Sequence, residues 1–506
     1  MHYDYVIAGG GSAGCVLAAR LSESRDVSVL LLEAGGSDWN PLFHWPAGFA
    51  RMTKGIASWG WSTAPQQHMN GLVLRFTQAK VIGGGSTINA QVFNRGNRLD
   101  FDEWRQSGCA GWSYDDVLPY FRRLEDFARP ADQYHGKGGP LGVSDPVATL
   151  PICEAFLESA GQLGIPRNPD FNGATQDGVG YYQLTHKNAR RSSTATAYLK
   201  PALDRPNLTV RTDATVQRVV IERGWAAGVE VAGTNGSETI RADREVILAA
   251  GTIGSPLLLM HSGIGPADHL KSVGIAPLCD LPGVGSNLQD HLDLFVICEC
   301  TGDHTYDKYA RPHWSALAGI QYLVFRTGPV ASSLFETGGF WYANENARSP
   351  DIQFHLGLGS GIEAGVAKLG NSGVTLNSAY LRPRSRGTVR LVSDDPRVAP
   401  LIDPNYWADP HDREMSIRGL RLARDIMRQD ALKPFVMAER LPGPDKVSDG
   451  DLIAYACRHA KTDHHPSGTC RMGADADAVV TPDLKVRGLD GLRVCDASIM
   501  PSVVSG

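Results

Sequence analysis

Gly9, Gly11 and Gly14 follow the apolar run Tyr5-Val6-Ile7-Ala8 and precede Cys15 to Leu21, a stretch of helical composition. This spacing serves phosphate binding. The first glycine permits a tight turn, the second lets backbone N–H groups approach a pyrophosphate, and the third lets a helix pack closely on a strand. The N-terminus of that helix, beginning near Ser12, then turns its positive dipole end to the phosphates. A second apolar run, Val27 to Leu32, ends at Glu33 and Ala34. An acid there can accept hydrogen bonds from ribose hydroxyls. Together these features predict a βαβ unit that binds a dinucleotide, and an acid rather than an arginine at position 33 favours FAD or NAD over NADP.

Two further glycine clusters are placed to meet a ligand. Gly83-Gly84-Gly85 offers bare backbone, with Ser86, Thr87 and Asn89 as short polar groups and Ala90 beyond them. Taken alone, the run is equally a structural turn before a helix. Gly251 to Gly265 follows the strand-like Val246 to Ala250 and reads as strand, glycine turn, helix and glycine stop, with Pro256 suited to a first helical turn.

These clusters carry a resemblance. AKVIGGGSTINA (79–90), GTIGSPLLLMHSGIG (251–265), PGVGSNLQDH (282–291), HHPSGTCRMG (464–473) and CDASIMP (495–501) are similar to signature segments of the glucose–methanol–choline (GMC) oxidoreductases, in the family's order and along the whole chain. Within that family, segments such as 170–185 and 371–391 resemble bacterial L-sorbose dehydrogenases and related FAD alcohol dehydrogenases. The resemblance implies an FAD-dependent oxidation of a primary alcohol, polyol or keto-sugar. A base takes the hydroxyl proton, a hydride leaves the carbon, and the electrons go on to a quinone or other acceptor. It assigns the base to His465, an imidazole being able to accept a proton. His464 stands where many relatives carry an aromatic residue and reads as a packing residue on the site wall. Gly9, Gly11, Ser12, Gly14, Glu33, Ala34, Gly84, Gly85, Ser86, Asn89, Ala90, Val216, Asp496 and Ala497 fall on FAD-contacting motifs. Relatives that bind FAD covalently carry a histidine where this chain has Ile88, so noncovalent FAD is expected. Glu336, with Phe335, Phe340 and Trp341, either frames a cationic substrate or is a structural hydrogen-bond acceptor. The family's second catalytic His or Asn follows the segment Asp496 to Pro501; by that spacing it would fall just past Gly506, in an omitted or truncated tail.

These residues need two interleaved units to hold them. The expected fold is α/β, a Rossmann-like doubly wound FAD-binding domain interleaved with an α+β substrate-binding domain that carries a mixed sheet. The expected division assigns 1–150, 208–310 and 466–506 to the FAD domain, 311–465 to the substrate domain and 151–207 to a mixed cap segment. A long amphipathic helix is expected around 411–429. The 506 residues suffice for this without disulfide or metal staples. The 56 glycines, about 11% against a usual ~7%, reflect the clusters in part.

Composition excludes several classes. Lys plus Arg is 49 against 54 Asp plus Glu, a net charge of −5, so nucleic-acid binding is not expected. The alternating Arg382, Arg384, Arg386 and Arg390 read as a solvated strand face. The nine cysteines form no C-x-x-C pair and read as reduced core residues, with no metal site. No secretory signal or membrane span is legible, which predicts a cytoplasmic monomer or homodimer, with peripheral membrane association left open. Competing functions are an oxidase that uses O₂, a non-redox relative in which FAD is structural, and an inactive FAD-binding remnant.

Overall fold

The computed structural model describes residues 1–233 and 236–506. The strand His2–Ala8 pairs in parallel with Val29–Leu32, and Val29–Leu32 pairs in parallel with Leu208–Arg211. On its other side lies Gly236–Leu248, also parallel, whose far edge takes Leu492–Val494 from the end of the chain. An antiparallel meander of Val216–Glu222 and Trp225–Gly233 completes this seven-stranded sheet. Val29–Leu32 is buried throughout, as an aliphatic run in a doubly covered parallel sheet must be. Tyr5 pairs with Val29 and Ala8 with Leu32, so Gly9 and Glu33 emerge side by side at the carboxyl edge.

The helix Ser12–Leu21 buries Gly14, Cys15, Ala18 and Ala19, all small residues that let it sit close to the sheet. A Cβ on Gly14 would stand 1.9 Å from the Gly9 carbonyl oxygen. The helix Gly251–His261 starts earlier than its proline suggested, so Pro256 lies inside it rather than in its first turn. Proline cannot donate to the carbonyl four residues back. Thr469 Oγ1 donates to that Thr252 carbonyl instead, at 2.5 Å.

The second sheet is also seven-stranded and runs in the order Val436–Leu441, Leu292–Cys300, Gly373–Tyr380, Ile352–Gly357, Thr337–Trp341, Gly178–Tyr181, with Lys461–Thr462 beside Leu292–Asp293. Expected to be mixed, it is antiparallel along every ladder, and Val179 makes one isolated parallel bridge to Arg167. The helix Pro410–Met427 covers it, close to the expected 411–429. Asp409 caps that helix by accepting from the His411 N–H at 2.9 Å, and Pro410 takes its first position. Its Met415, Leu420, Ala423 and Ile426 join Phe295, Phe354 and Leu376 in the largest core cluster. The arginine run does not form one strand. Thr388–Arg390 is a separate short strand, and Arg382 turns inward to Asp100 at 3.0 Å. All nine cysteines are free, seven of them buried.

Candidate functional site: a long cavity between the two sheets

A cavity of about 1250 Å³ runs from the carboxyl edge of the parallel sheet to the loop that carries His465. Small-ligand cavities are typically ~300–1,000 Å³, so this one has room for a dinucleotide and a substrate together. Gly9, Gly11, Ser12, Glu33, Ala34, Gly84, Gly85, Ser86, Asn89, Ala90, Val216, Asp496 and Ala497 all line it. Gly14 does not; it acts one layer down, in the helix–sheet contact. The helix Ser12–Leu21 has no side-chain cap on its first turn, so its leading N–H groups are available to phosphate oxygens.

The cradle is rigid because the two glycine segments touch. Gly83 N donates to the Gly10 carbonyl at 2.7 Å, and Gly84 adopts φ +55° so close to Gly11 that a Cβ would lie 2.7 Å from the Gly11 α-carbon. Glu33 holds the first turn: its carboxylate accepts from Gly10 N at 2.8 Å and Gly35 N at 2.7 Å. Burial raises its pKa, and those N–H groups oppose the rise. Asp496 Oδ2 accepts from Gly251 N at 2.9 Å, which ties the C-terminal segment to the third glycine turn. Asn89 Oδ1 accepts from the buried Arg191 at 2.6 Å. These residues fit FAD: uncapped N–H groups for a pyrophosphate, an acid at the ribose position, and a glycine floor in which a Cβ at Gly9 or Gly84 would collide with backbone.

At the far end the wall is polar and rich in imidazole. Phe49, Phe335, His355, Glu363, Asn377, Asp463, His464 and His465 face the cavity there. Two anchors position His465. Lys461–Thr462 pairs with Leu292–Asp293, which carries the following loop past His291. The His465 N–H then donates to Asp290 Oδ1 at 2.8 Å, and Tyr406 and Thr462 hydroxyls donate to Asp290 Oδ2.

The histidine pair fixes a tautomer. His465 Nδ1 lies 3.0 Å from His291 Nδ1, and His291 Nε2 lies 3.1 Å from the Leu381 carbonyl oxygen. A carbonyl only accepts, so His291 Nε2 carries a proton. Burial, and then the His465 charge, push the His291 pKa down to about 3, so the ring is neutral. Its Nδ1 is therefore the acceptor, and His465 Nδ1–H the donor. The neutral His465 ring is thus left with its lone pair on Nε2. Its side chain is 37% exposed, and it lines the cavity. Asp463 Oδ2 lies 3.7 Å from His465 Nδ1, where a carboxylate would offset a positive charge on the ring. Burial opposes ionisation of Asp463, but His465 and Lys461 outweigh it and hold the carboxyl below its ordinary range. Lys461 Nζ in turn lies 2.6 Å from Asp293 and 3.1 Å from Glu363.

His291 is therefore a positioning residue. His291→Leu removes the acceptor and is expected to lower kcat about 10- to 100-fold with flavin content unchanged. His291→Asn, whose carbonyl oxygen can accept, should recover most of the loss, and the kcat-against-pH profile should move in the leucine variant alone.

Three of the residues expected to frame the substrate do not reach the cavity. Glu336 is fully buried on the opposite side of the chain from Phe335, as alternation along an extended run requires. Ser332 Oγ donates to it, and burial raises its pKa to about 7. Its surroundings are those of a structural acceptor. Trp341 lies six residues beyond Phe335, about 20 Å along the run, and packs against the large core beside Tyr342. Phe340 is likewise core, between Phe171 and Tyr182. His464 does face the cavity. Burial, and then Lys461, push its pKa down to about 3, so it presents a neutral ring. His465 does contact a second histidine, His291, 174 positions before it. His355, Asn377, Glu363 and Asp463 were not anticipated. Asp463, two residues from His465, was the one that motif position could have marked.

Comparison with known proteins agrees with this geometry. Family models described as GMC oxidoreductase match residues 3–293 and 383–506. An oxygen-dependent choline dehydrogenase of Sinorhizobium fredii is 40% identical over 509 residues, covering 100% of this chain and 92% of that one. An alcohol dehydrogenase [acceptor] of Pseudomonas putida is 41% identical over 510 residues with the same coverage. Pyridoxine 4-oxidase from Mesorbium loti superposes with a TM-score of 0.90 at 34% identity, covering 100% of this chain and 96% of that one. Formate oxidase of Aspergillus oryzae gives 0.93 at 27%, with coverage of 100% and 95%. No helix among the described residues is long and apolar enough to cross a membrane. Sequence, fold and cavity agree that the chain belongs to the GMC oxidoreductase family, whose members are FAD-binding flavoproteins.

Proposed function

We propose that this chain is a dehydrogenase of primary alcohols, polyols or keto-sugars of the L-sorbose type, with His465 as its base and noncovalent FAD. The observation that carries the reading is the His291–His465 contact, which leaves the His465 Nε2 lone pair for a hydroxyl proton. When bound, FAD supplies the acceptor for the hydride that leaves the alcohol carbon. His465 Nε2 takes the hydroxyl proton, and Asp463 offsets the resulting positive charge. The neutral rings of His464 and His355 and the amide of Asn377 offer hydrogen bonds to further hydroxyls, which supports a hydroxylated substrate. Ile88 lines the cavity without a nucleophilic atom, which supports the noncovalent assignment.

A second reading has its own support. Glu363 and Asp463 bring two carboxyl groups to the same wall, and the relatives include choline dehydrogenases. A cationic alcohol is therefore the alternative substrate. One experiment separates the readings: anaerobic turnover of L-sorbose, sorbitol, simple primary alcohols, choline and pyridoxine with a dye acceptor, beside an oxygen electrode. The proposal expects flavin bleaching and dye reduction with hydroxylated neutral substrates and little O₂ uptake. Turnover confined to choline overturns the substrate assignment, and prompt H₂O₂ formation overturns the dehydrogenase assignment.

A further inference from the structure

The helix Pro312–Phe325 inverts the usual pattern of a surface helix. It buries only Ala318 and Tyr322, four residues apart, against the rest of the molecule. Outward it presents Trp314, Leu317, Ile320, Leu323, Val324 and Phe325, with side chains between 38% (Trp314) and 69% (Phe325) exposed. Surface helices normally turn their apolar stripe inward and their charges to water. This one has no carboxylate and no Lys or Arg within its span. A contiguous exposed apolar face of this kind marks an interaction surface.

Cations border the face. Lys308 and Arg311 precede the helix, and Arg326 caps its end in the left-handed region at φ +56°. Arg190 comes in from the neighbouring hairpin to share the surroundings of Tyr322 with Arg326. None of these four takes part in an ion pair among the described residues. Lys308 instead lies over the rings of Tyr309 and Trp314, at 5.4 and 5.6 Å. An apolar stripe with an aromatic anchor and unpaired flanking cations is the chemistry of a helix that lies in the plane of an anionic lipid surface. Its 14 residues span about 21 Å, too short for the ~30 Å hydrocarbon layer, so it would lie on the bilayer rather than cross it.

The helix is rigidly joined to the catalytic half of the molecule. Tyr322 OH donates to the Ala189 carbonyl at 2.9 Å, and its ring meets Trp45 edge-on at 5.8 Å. The following Pro329–Ala331 packs on Pro46–Gly48, directly before the cavity residue Phe49.

We propose that the helix Pro312–Phe325 seats this enzyme on an anionic membrane surface. The test is flotation of the FAD-loaded protein with vesicles of mixed phosphatidylglycerol and phosphatidylcholine, and with phosphatidylcholine alone, at low and high salt. The comparison variant is Leu317→Glu/Ile320→Glu/Val324→Glu, which changes only exposed positions. Wild type is expected to float with the mixed vesicles, less at high salt and less on phosphatidylcholine. The variant should lose about tenfold or more of that binding while its activity with a soluble dye stays within about twofold. Three results overturn the proposal: no flotation of wild type on mixed vesicles, equal flotation of the variant, or a dimer abolished by the same substitutions in a protein that binds no vesicles. The last would assign the face to a second copy of the chain.

Discussion

His465→Ala is expected to retain FAD and lose at least about 10²-fold in kcat, the usual size of a general-base contribution. The magnitude rests on what the ring does in the structure. His291 and Leu381 hold it in one tautomer, Asp290 holds its backbone, and Asp463 waits for its charge. Truncation to alanine removes the one ring whose free nitrogen that network prepares. None of the cradle contacts of residues 9–14 and 83–90 involves His465, so flavin absorbance should match wild type. Rapid-mixing measurement of flavin bleaching by substrate checks the proton-transfer assignment, because product release does not enter it. A bleaching rate near that of wild type would remove His465 from the mechanism.

Gly84→Ala is expected to yield protein largely free of flavin. The new Cβ would stand 2.7 Å from the Gly11 α-carbon, so the two phosphate-facing segments must separate. Backbone cannot yield there as a flexible side chain could, because Gly83 N is bonded to the Gly10 carbonyl. The backbone at φ +55°, ψ −136° lies outside the left-handed helical region and adds a strain of about 1–3 kcal/mol for a residue with a Cβ. Gly111→Ala is the control. Gly111 has φ +85° with nothing within 4 Å of its Cβ position, so alanine there meets a positive φ without the collision. Flavin-to-protein absorbance ratios should fall about tenfold or more for the first variant and stay near wild type for the second. Equal losses would mean that strain, and not contact between the segments, governs cofactor retention.

The cofactor half of the site was legible in the sequence because its signals are local. A strand, a glycine turn and an acid determine their own geometry within about 30 residues, and Gly9, Glu33 and Gly84 stand where that logic places them. The substrate half depends on contacts between distant segments. His291 meets His465 only because Lys461–Thr462 joins the strand that begins at Leu292. Phe340 and Trp341 turn away from the cavity for the same reason, and between the two readings of Glu336 it is likewise the fold that favours the structural acceptor. Pro256 shows a third kind of difference. A helix can start ahead of a proline when a distant hydroxyl, here that of Thr469, takes up the freed carbonyl. The helix Pro312–Phe325 has the composition of a core element, and only the tertiary fold reveals that its apolar side faces outward.

The strand Leu492–Val494, parallel to Gly236–Leu248 in the nucleotide-binding sheet, has a consequence for the order in which the protein is made. His2–Ala8 leaves the ribosome long before this strand does, and Asp496 follows close behind the strand to cap the third glycine turn. Until then the nascent chain holds an unpaired strand edge and a cofactor groove without one of its walls. Flavin capture thus waits on this strand, and the exposed edge leaves the chain open to aggregation in the interval before it is made.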